Sequence, residues 1–432
     1  MTEVRTTMLA GIATRTTPET VRVIVRYRQP GPEQARPVSL SVDPAALRAR
    51  MVDRLLVDDD VARWASAVAP WRSAVAAVPR HEFIPDTVWI KNPKRWPTLV
   101  PLCRDEDPDR WLRLTYATGS DDYVVTQVDD GHPDGPGLGG SMPTSSASSP
   151  VIVAVMLAAL DACPGHRVLE IGTGTGYDAA LLAHRLGAEQ VTSIEIDSDV
   201  AAQARRALSE TGYGEICTIT GDGELGYPPG TPYDRIIVTA AVHRIPYPRV
   251  AQTRPGGRIL LPWANSYTGA LVALTVSGDG SACGGVVGES SFMWLRAQRE
   301  RRGAVGAVVG DHEDRAEVHT TALHPHSVVG DLGVRFAIGQ RVHRCQWRYW
   351  PFDEHTGVGV FWLLDFESRS WVKLIHTTPD ARDAEFLVHQ YGLRRLWDEV
   401  HAAQQWWVDQ GKPDVDRWRF TVTPQGQQIG LS

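Results

Sequence analysis

The sequence predicts an α/β fold built on a doubly wound parallel sheet, with a small N-terminal unit and an α+β C-terminal extension. Three observations support this prediction. Four short apolar segments alternate with stretches of helical periodicity, the first segment runs into a glycine-rich turn, and the second ends in an acidic residue. The predicted strands are Val168 to Ile171, Val191 to Ile196, Arg235 to Thr239 and Arg258 to Leu261.

The composition is that of an ordinary globular protein of 432 residues, 43% hydrophobic and 22% charged. A net charge of -7 argues against a nucleic-acid partner, because phosphate backbones are held mainly by surplus Lys and Arg. No segment reaches the ~20 apolar residues of a membrane span, so we expect a cytoplasmic protein that binds no membrane. Five scattered cysteines without CxxC spacing indicate neither a disulfide framework nor a metal site. The sequence does not indicate the oligomeric state.

The chain divides into three predicted units. Residues 1–65 form an N-terminal unit, with a strand at Arg22 to Tyr27 and helical periodicity from Pro44 onward. Residues 66–276 contain the predicted parallel sheet, preceded by a Gly, Pro and Ser-rich segment from Asp129 to Ser149 that reads as a loop.

Residues 277–432 form a Trp-rich C-terminal domain that we expect to recognise a peptide. The alternative is that this unit is simply a packed domain, because tryptophans dominate cores as well as binding surfaces. Within it, one face of a predicted helix carries Leu393, Leu396, Trp397, Val400 and Trp407. Trp406 and Trp407 point in different directions on that helix, so we expect one of them to be exposed. The alternation of Trp418, Phe420 and Val422 before a Pro-Gln-Gly turn predicts an edge hairpin.

The glycine-rich turn Gly172-x-Gly174-x-Gly176 is typical of a nucleotide-binding strand-to-helix connection, where glycines let the backbone approach a ligand closely. Glu195 ends the next strand, near the ~20-residue offset at which an acid meets ribose hydroxyls. Glu170 precedes the turn and would repel a pyrophosphate, so a cationic ligand fits better. The alternative is that the glycines only shape a structural turn.

Five motifs resemble the protein L-isoaspartate O-methyltransferase family, in order and spacing. They are the glycine-rich turn, VPRHEFIP at residues 78–85, GDG at 221–223, PYDRIIVTAA at 232–241 and PGGRILLP at 255–262. The resemblance covers about residues 66–276. It implies a Rossmann-like methyltransferase sheet and S-adenosylmethionine as the cofactor, whose two cationic groups suit an acidic turn.

The resemblance also implies individual roles at the cofactor site. The turn, with Tyr177, is expected to hold the methionine part of the cofactor, Glu195 the ribose, and Asp222 with Gly223 the adenine. Asp222 has a second interpretation as a turn-former. The implied cofactor-binding residues are Glu170, Gly172, Thr173, Gly174, Gly176, Tyr177, Glu195, Asp222 and Gly223.

The segment Thr144-Ser145-Ser146-Ala147-Ser148-Ser149 occupies the position of the family's substrate loop. Pro150 suits the first turn of a helix and Ser149 its N-cap, which places Ser148 at the positive helix end, where a carboxylate would be stabilised. We therefore expect Ser148 to act in catalysis and Thr144, Ser145, Ser146 and Ser149 to bind substrate. The alternative is that these serines are only a cap and a linker.

Two departures from the family bear on the substrate. The serine-rich segment replaces the usual Thr-x-Ser-x-Pro residues, and the C-terminal unit adds mass beyond a repair enzyme. Together they resemble the branch that methylates an Asp in constrained ribosomally made peptides, such as lanthipeptides, graspetides and lasso peptides, giving aspartimide or isoaspartate. A general isoaspartate repair enzyme, a small-molecule O-methyltransferase and a non-catalytic peptide-binding protein are the alternatives.

Overall fold

The computed structural model describes residues 42–55, 61, 64–92, 98–119, 122–132, 140, 142–353, 357–376 and 386–432. The strand predicted at residues 22–27 lies outside these ranges. The helices of the described part are α1 (Pro44–Leu55), α2 (Ala65–Val68), α3 (Arg72–Ala77), α4 (Pro108–Thr115), α5 (Pro150–Leu160), α6 (Tyr177–Leu186), α7 (Ser198–Glu210), α8 (Tyr247–Ala251), α9 (Gly306–Val309), α10 (His326–Val329), α11 (Leu332–Arg341) and α12 (Leu396–Asp409).

The strands of the described residues form three sheets. Their bounds are β1 (Thr87–Lys91), β2 (Leu99–Cys103), β3 (Val124–Val128), β4 (Pro143–Ala147), β5 (Val168–Ile171), β6 (Val191–Glu195), β7 (Cys217–Thr220), β8 (Tyr233–Val238), β9 (Thr253–Ala264), β10 (Gly269–Val276), β11 (Ala282–Glu289), β12 (Glu317–Thr321), β13 (Gln346–Asp353), β14 (Val358–Asp365), β15 (Ser370–His376), β16 (Phe386–Tyr391), β17 (Trp418–Thr423) and β18 (Gly426–Leu431). The sheet orders are β2-β1-β3-β4, β18-β17-β11-β10-β9-β8-β5-β6-β7 and β12-β16-β15-β14-β13.

The nine-stranded sheet contains the four strands predicted from the sequence, as β5, β6, β8 and β9. β5 pairs in parallel with both β6 and β8, and β8 pairs in parallel with β9. Helices α6 and α7 connect β5 to β6 and β6 to β7. The predicted α/β fold with a doubly wound, Rossmann-like sheet is therefore confirmed.

Burial on both faces explains why three of the four residues of β5 are apolar. Its side chains alternate between two cores, with Val168 in the cluster that includes α5 and α6, and Leu169 and Ile171 in the cluster on the opposite face. A central parallel strand covered on both sides reads as a continuous apolar run instead of an alternating one. Glu170 interrupts that run and is fully buried.

The segment predicted as a loop between Asp129 and Ser149 includes an edge strand, so that prediction was wrong for β4. The cause is side-chain hydrogen bonding to β3. Thr144 Oγ1 donates to Gln127 Oε1 at 2.9 Å, and Thr126 Oγ1 donates to Ser145 Oγ at 3.2 Å. Hydroxyl side chains that favour turns can equally satisfy a neighbouring strand.

The C-terminal part contains the antiparallel five-stranded sheet, packed on α12. Leu396, Trp397 and Val400 are buried as expected, but Leu393 is 93% exposed and precedes the helix, so its assignment to the buried face was wrong. Neither Trp406 nor Trp407 is exposed, contrary to expectation. Arg341 stacks on the Trp406 ring at 4.5 Å, and Trp407 Nε1 donates to the Pro413 carbonyl. Different neighbours therefore cover the two rings.

The predicted C-terminal hairpin is confirmed as β17 and β18, which lie at one edge of the nine-stranded sheet. β17 pairs with β11, and β11 pairs with β10, so the sheet continues across the predicted boundary at residue 276. Phe336 from α11 also packs on Trp263 of β9, with ring centroids 5.3 Å apart. Among the described residues, no helix is both long and apolar enough to cross a membrane.

Candidate active site

The glycine-rich turn follows the central strand β5 and leads into α6. Gly172 has a φ of 98°, and a Cβ at this position would lie 2.4 Å from Thr239 Oγ1. Thr239 follows β8 and donates through that same oxygen to the Gly172 carbonyl at 2.6 Å. Gly172 is therefore required by close packing as well as by its backbone conformation.

Glu195 holds the turn from the neighbouring strand end. Its Oε2 accepts the backbone N–H of Gly174 at 2.9 Å, and its Oε1 accepts that of Asp197 at 3.1 Å. Burial raises the pKa of the Glu195 carboxyl, although these two hydrogen bonds favour its charged form. These two hydrogen bonds thus fix the Glu195 carboxylate beside Gly174 of the glycine-rich turn.

Glu170 lies beneath the turn in a short chain of side-chain hydrogen bonds. Thr173 and Ser193 hydroxyls lie 2.6 Å apart, and Ser193 Oγ donates to Glu170 Oε2. The other oxygen, Glu170 Oε1, is buried and has no partner among the described residues. Burial, with the charge of Asp178 as a second cause, raises the pKa of Glu170 well above its ordinary value.

Three carboxyl groups consequently meet at the turn. Burial also raises the pKa of Asp178 to about 6, against the effect of the Arg80 charge. Carboxylates held together in a low-dielectric site are relieved by a bound cation, which favours their ionised forms. The carboxyl groups of Glu170, Asp178 and Glu195 therefore suit a cationic ligand.

The GDG turn lies at the adjoining end of the sheet. Asp222 is exposed, and its Oδ1 accepts the Glu224 backbone N–H at 2.9 Å, so it does form a turn of its own. A Cβ on Gly223 would lie 2.3 Å from Ile171 Cγ2, which packs this turn against the end of β5. Tyr177, which was also expected to bind the cofactor, has its ring buried against Arg80 and Phe83.

The start of α5 has the local structure that the sequence predicted. Ser149 is the N-cap, its Oγ accepting the Val151 N–H at 3.3 Å, and Pro150 opens the helix. Ser149 Oγ also donates to the Gly119 carbonyl at 2.9 Å. Its hydroxyl is therefore committed to structure.

The serine segment lies beside the glycine-rich turn. A Cβ at Gly174 would be 3.6 Å from the Ser146 carbonyl oxygen, so the two segments are neighbours. Thr144 and Ser145 bond to β3, whereas within the described residues the hydroxyls of Ser146 and Ser148 have no hydrogen-bond partner. The hydroxyls of Ser146, in β4, and of Ser148, just before the N-cap of α5, are thus available to a ligand.

Two charged residues at this site were not among the predicted site residues. Arg80 is fully buried, and its Nη2 donates to the Ser148 carbonyl at 2.7 Å. Asp178 immediately follows Tyr177 and is half-buried beside the turn. The VPRHEFIP motif contained Arg80, but nothing in that motif indicated that its side chain reaches residue 148.

The matching family model and two curated relatives carry the same family name. The family described as Protein-L-isoaspartate(D-aspartate) O-methyltransferase (PCMT) matches residues 139–300. A protein-L-isoaspartate O-methyltransferase of Gloeobacter violaceus is 46% identical over 190 residues, 44% of this chain and 72% of that protein. The protein of the same name from Methanoregula boonei is 45% identical over 190 residues, 44% of this chain and 68% of that protein.

Other matches are shorter or more distant. The match to the Ignicoccus hospitalis protein-L-isoaspartate O-methyltransferase spans 55% of that protein, and the chain spans about half the length of several curated relatives that it matches. A solved structure titled protein-L-isoaspartate O-methyltransferase has a TM-score of 0.47 at 19% identity, covering 89% of this chain and 99% of the other.

Proposed function

Because this chain belongs to the protein-L-isoaspartate O-methyltransferase family, we propose that it is an S-adenosylmethionine-dependent O-methyltransferase acting on a peptide carboxylate. One observation carries the proposal. An acidic, glycine-rich turn adjoins the segment that leads into α5, and that segment carries the two available hydroxyls of Ser146 and Ser148. The contact passes through Gly174 and Ser146. The site therefore offers negative charge to a cation and positive charge to a carboxylate.

The cofactor residues fit S-adenosylmethionine through their charge and shape. When bound, this cofactor supplies an electrophilic methyl group on a sulfonium, whose transfer to a carboxylate oxygen leaves a neutral thioether. Glu170 and Asp178 provide anionic surroundings for the methionine part, and Glu195 is positioned for ribose hydroxyls. Gly223 keeps the turn at the adenine end close to β5.

The acceptor side requires positioning instead of a base. A peptide carboxyl with an ordinary pKa of ~3.9 is already anionic at neutral pH, so no proton has to be removed. The Ser148 and Ser146 hydroxyls can donate to one carboxylate oxygen, while the positive end of the α5 dipole stabilises the charge. We propose Ser148 as the catalytic residue. By binding one carboxylate oxygen, it orients the other oxygen toward the methyl group.

The proposed acceptor is an Asp side chain in a constrained ribosomal peptide. The serine-rich segment and the large C-terminal part support this choice over a general isoaspartate repair enzyme. Esterification makes the carboxyl a better electrophile, so the backbone nitrogen of the next residue can displace methanol and close an aspartimide. Hydrolysis of the aspartimide then gives isoaspartate or aspartate.

We assign peptide recognition to the C-terminal part, through the outer face of its five-stranded sheet. Strand pairing places Trp350, Val360, Ile375 and Leu387 in one row across that face. Trp350 is 43% exposed and Leu387 is 51% exposed. Exposed aromatic and aliphatic side chains in a contiguous row are typical of a peptide-binding surface.

The deciding experiment offers the enzyme three acceptors with methyl-labelled cofactor. They are an isoaspartyl peptide, a linear Asp peptide and the same Asp peptide closed by a side-chain lactam. Mass spectrometry should show methyl gain followed by methanol loss on the lactam peptide. Methylation of the isoaspartyl peptide alone would assign general repair, and cofactor binding without transfer to any acceptor would favour a binding protein.

The recognition surface has its own test. Trp350→Ala should raise KM for the lactam peptide and leave the affinity for S-adenosylmethionine unchanged. Leu393→Ala is the matched control, because Leu393 is 93% exposed but lies outside the strands of that sheet. Equal KM values for the two variants would remove the outer face from recognition.

A further inference from the structure

Arg80 is a fully buried cation next to the acceptor side of the site. It begins the short 3-10 turn Arg80–Phe83, and its side chain has no measurable exposure. Among the described residues, no carboxylate lies within ion-pair distance of its guanidinium. An unpaired buried charge is destabilising, so this arginine must be compensated by other contacts.

Those contacts join separate segments of the chain. Arg80 Nε donates to the Thr115 carbonyl at 2.8 Å, where α4 ends. Arg80 Nη2 donates to the carbonyls of Ser148 at 2.7 Å and Ala147 at 3.4 Å, where β4 passes into α5. The guanidinium also lies over the Tyr177 ring at 5.0 Å, at the first residue of α6. The Arg80 side chain therefore links the start of α5 to α6, the helix that follows the glycine-rich turn.

Arg80 and the charges near it determine the electrostatic field around Ser148. Arg80 Nη1 is buried and has no hydrogen-bond partner among the described residues. Its charge lies behind the Ser148 carbonyl, on the side where the N-terminus of α5 is also positive. Asp178 is the carboxylate whose charge acts on Arg80, from the cofactor side. The site is thus cationic behind Ser148 and anionic around the turn.

We propose that Arg80 is a positioning residue for the acceptor carboxylate, acting through the carbonyl groups of residues 147 and 148. The proposal rests on the proposed function, since it concerns the acceptor side of that site. Arg80 fixes the start of α5 beside Gly174, and its charge adds to the positive helix end that receives the carboxylate. It does not touch the reacting atoms.

Two substitutions separate positioning from general stability. Arg80→Gln removes the charge and most of the guanidinium N–H donors. Arg80→Lys keeps the charge but cannot donate hydrogen bonds to residues 115 and 148 at the same time. We expect kcat/KM for the acceptor peptide to fall about tenfold or more in Arg80→Gln, as expected for losing a hydrogen bond from a charged group. The fall should come mainly from KM, with a smaller change in Arg80→Lys. Arg80→Lys keeps the charge that lowers the pKa of Asp178, so its affinity for S-adenosylmethionine should stay unchanged.

Hydrogen–deuterium exchange supplies a readout that needs no acceptor. Amides of residues 143–152 should exchange faster in both variants, and more so in Arg80→Gln, while residues 168–176 keep the wild-type rate. If Arg80→Gln does not fold, the Arg80→Lys exchange and KM decide the matter. Exchange still tests positioning if the wild-type enzyme methylates no acceptor, an outcome that would defeat only the proposed function.

Arg249 provides a matched control on the opposite side of the site. It is equally buried, with two unpartnered nitrogens, and its Nη2 approaches the Gly223 carbonyl at 3.4 Å. Arg249→Gln should therefore weaken cofactor binding and leave the exchange of residues 143–152 unchanged. Wild-type KM and wild-type exchange in the Arg80 variants, with only a lower melting temperature, would overturn the proposal.

Discussion

A single substitution at Glu195 can test two proposed roles of its carboxylate, in holding the turn and in binding the ribose. It accepts the Gly174 N–H, and we propose that it also binds the ribose, so its removal should loosen both the turn and the ligand. Glu195→Ala should weaken S-adenosylmethionine binding by roughly 1.5–3 kcal/mol for each hydrogen bond lost, measured by calorimetry. Glu210→Ala, at the exposed end of α7, is the control and should bind normally. Unchanged affinity in Glu195→Ala would remove it from the site.

Asp178 should make cofactor binding depend on pH. Its pKa is raised to about 6 by burial, so the carboxyl is neutral below that pH and anionic above it. A cationic ligand prefers the anion, so affinity for S-adenosylmethionine should rise as the pH increases from 5 to 7 and then level off. Calorimetry across this range measures the effect. Asp178→Asn should flatten the profile, and an equally steep profile in that variant would assign the dependence to another group.

At the scale of single residues, local spacing identified Glu170, Glu195 and the glycines of the turn as candidates, but it did not identify Asp178. It did not predict the contact from Arg80 to Ser148, since the two residues lie 68 positions apart. It also could not separate the serines by duty. Thr144 and Ser145 bond to β3 and Ser149 caps α5, and only the tertiary structure shows that Ser146 and Ser148 are left open.

The two serines that precede α5, Ser148 and Ser149, should behave differently. Ser149→Ala removes the N-cap and should lower the free energy of unfolding by about 0.5–2 kcal/mol. Ser148→Ala should instead lower kcat with nearly unchanged stability and cofactor affinity, because its hydroxyl has no partner within the described residues. Thermal unfolding and single-turnover rates of the pair provide the comparison. A destabilised but fully active Ser148→Ala enzyme would make Ser148 structural.

Among the elements, periodicity identified the four parallel strands and the C-terminal hairpin but failed at two edges. β4 was taken for a loop because Ser and Thr favour turns, although here their hydroxyls bond to β3. Leu393 continued an apolar helical pattern, yet α12 begins only at Leu396. For β4, a neighbouring strand that is absent from any local pattern decided the outcome.

For the whole molecule, the position of β11, β17 and β18 changes what a truncation would do. A chain ending at Val276 loses three strands of the nine-stranded sheet and uncovers β10, where Leu271, Val272 and Leu274 are fully buried. We expect such a truncation to aggregate, because an uncovered apolar edge strand pairs with other chains. Light scattering after expression measures this. A monomeric truncation that binds S-adenosylmethionine would show instead that β11, β17 and β18 are dispensable for cofactor binding.

The pairing of β11 with β17 has a further consequence for the order of folding. The strands are neighbours in the sheet, but residues 290–417 lie between them, and β12 to β16 form within that interval. Closing so long a disordered segment is slow, whereas a segment that has already folded presents its ends ready to pair. We expect the five-stranded sheet to form first and the larger sheet to be completed afterwards. A substitution in the core around Trp397 would then delay completion of the nine-stranded sheet, although Trp397 lies in a separate core.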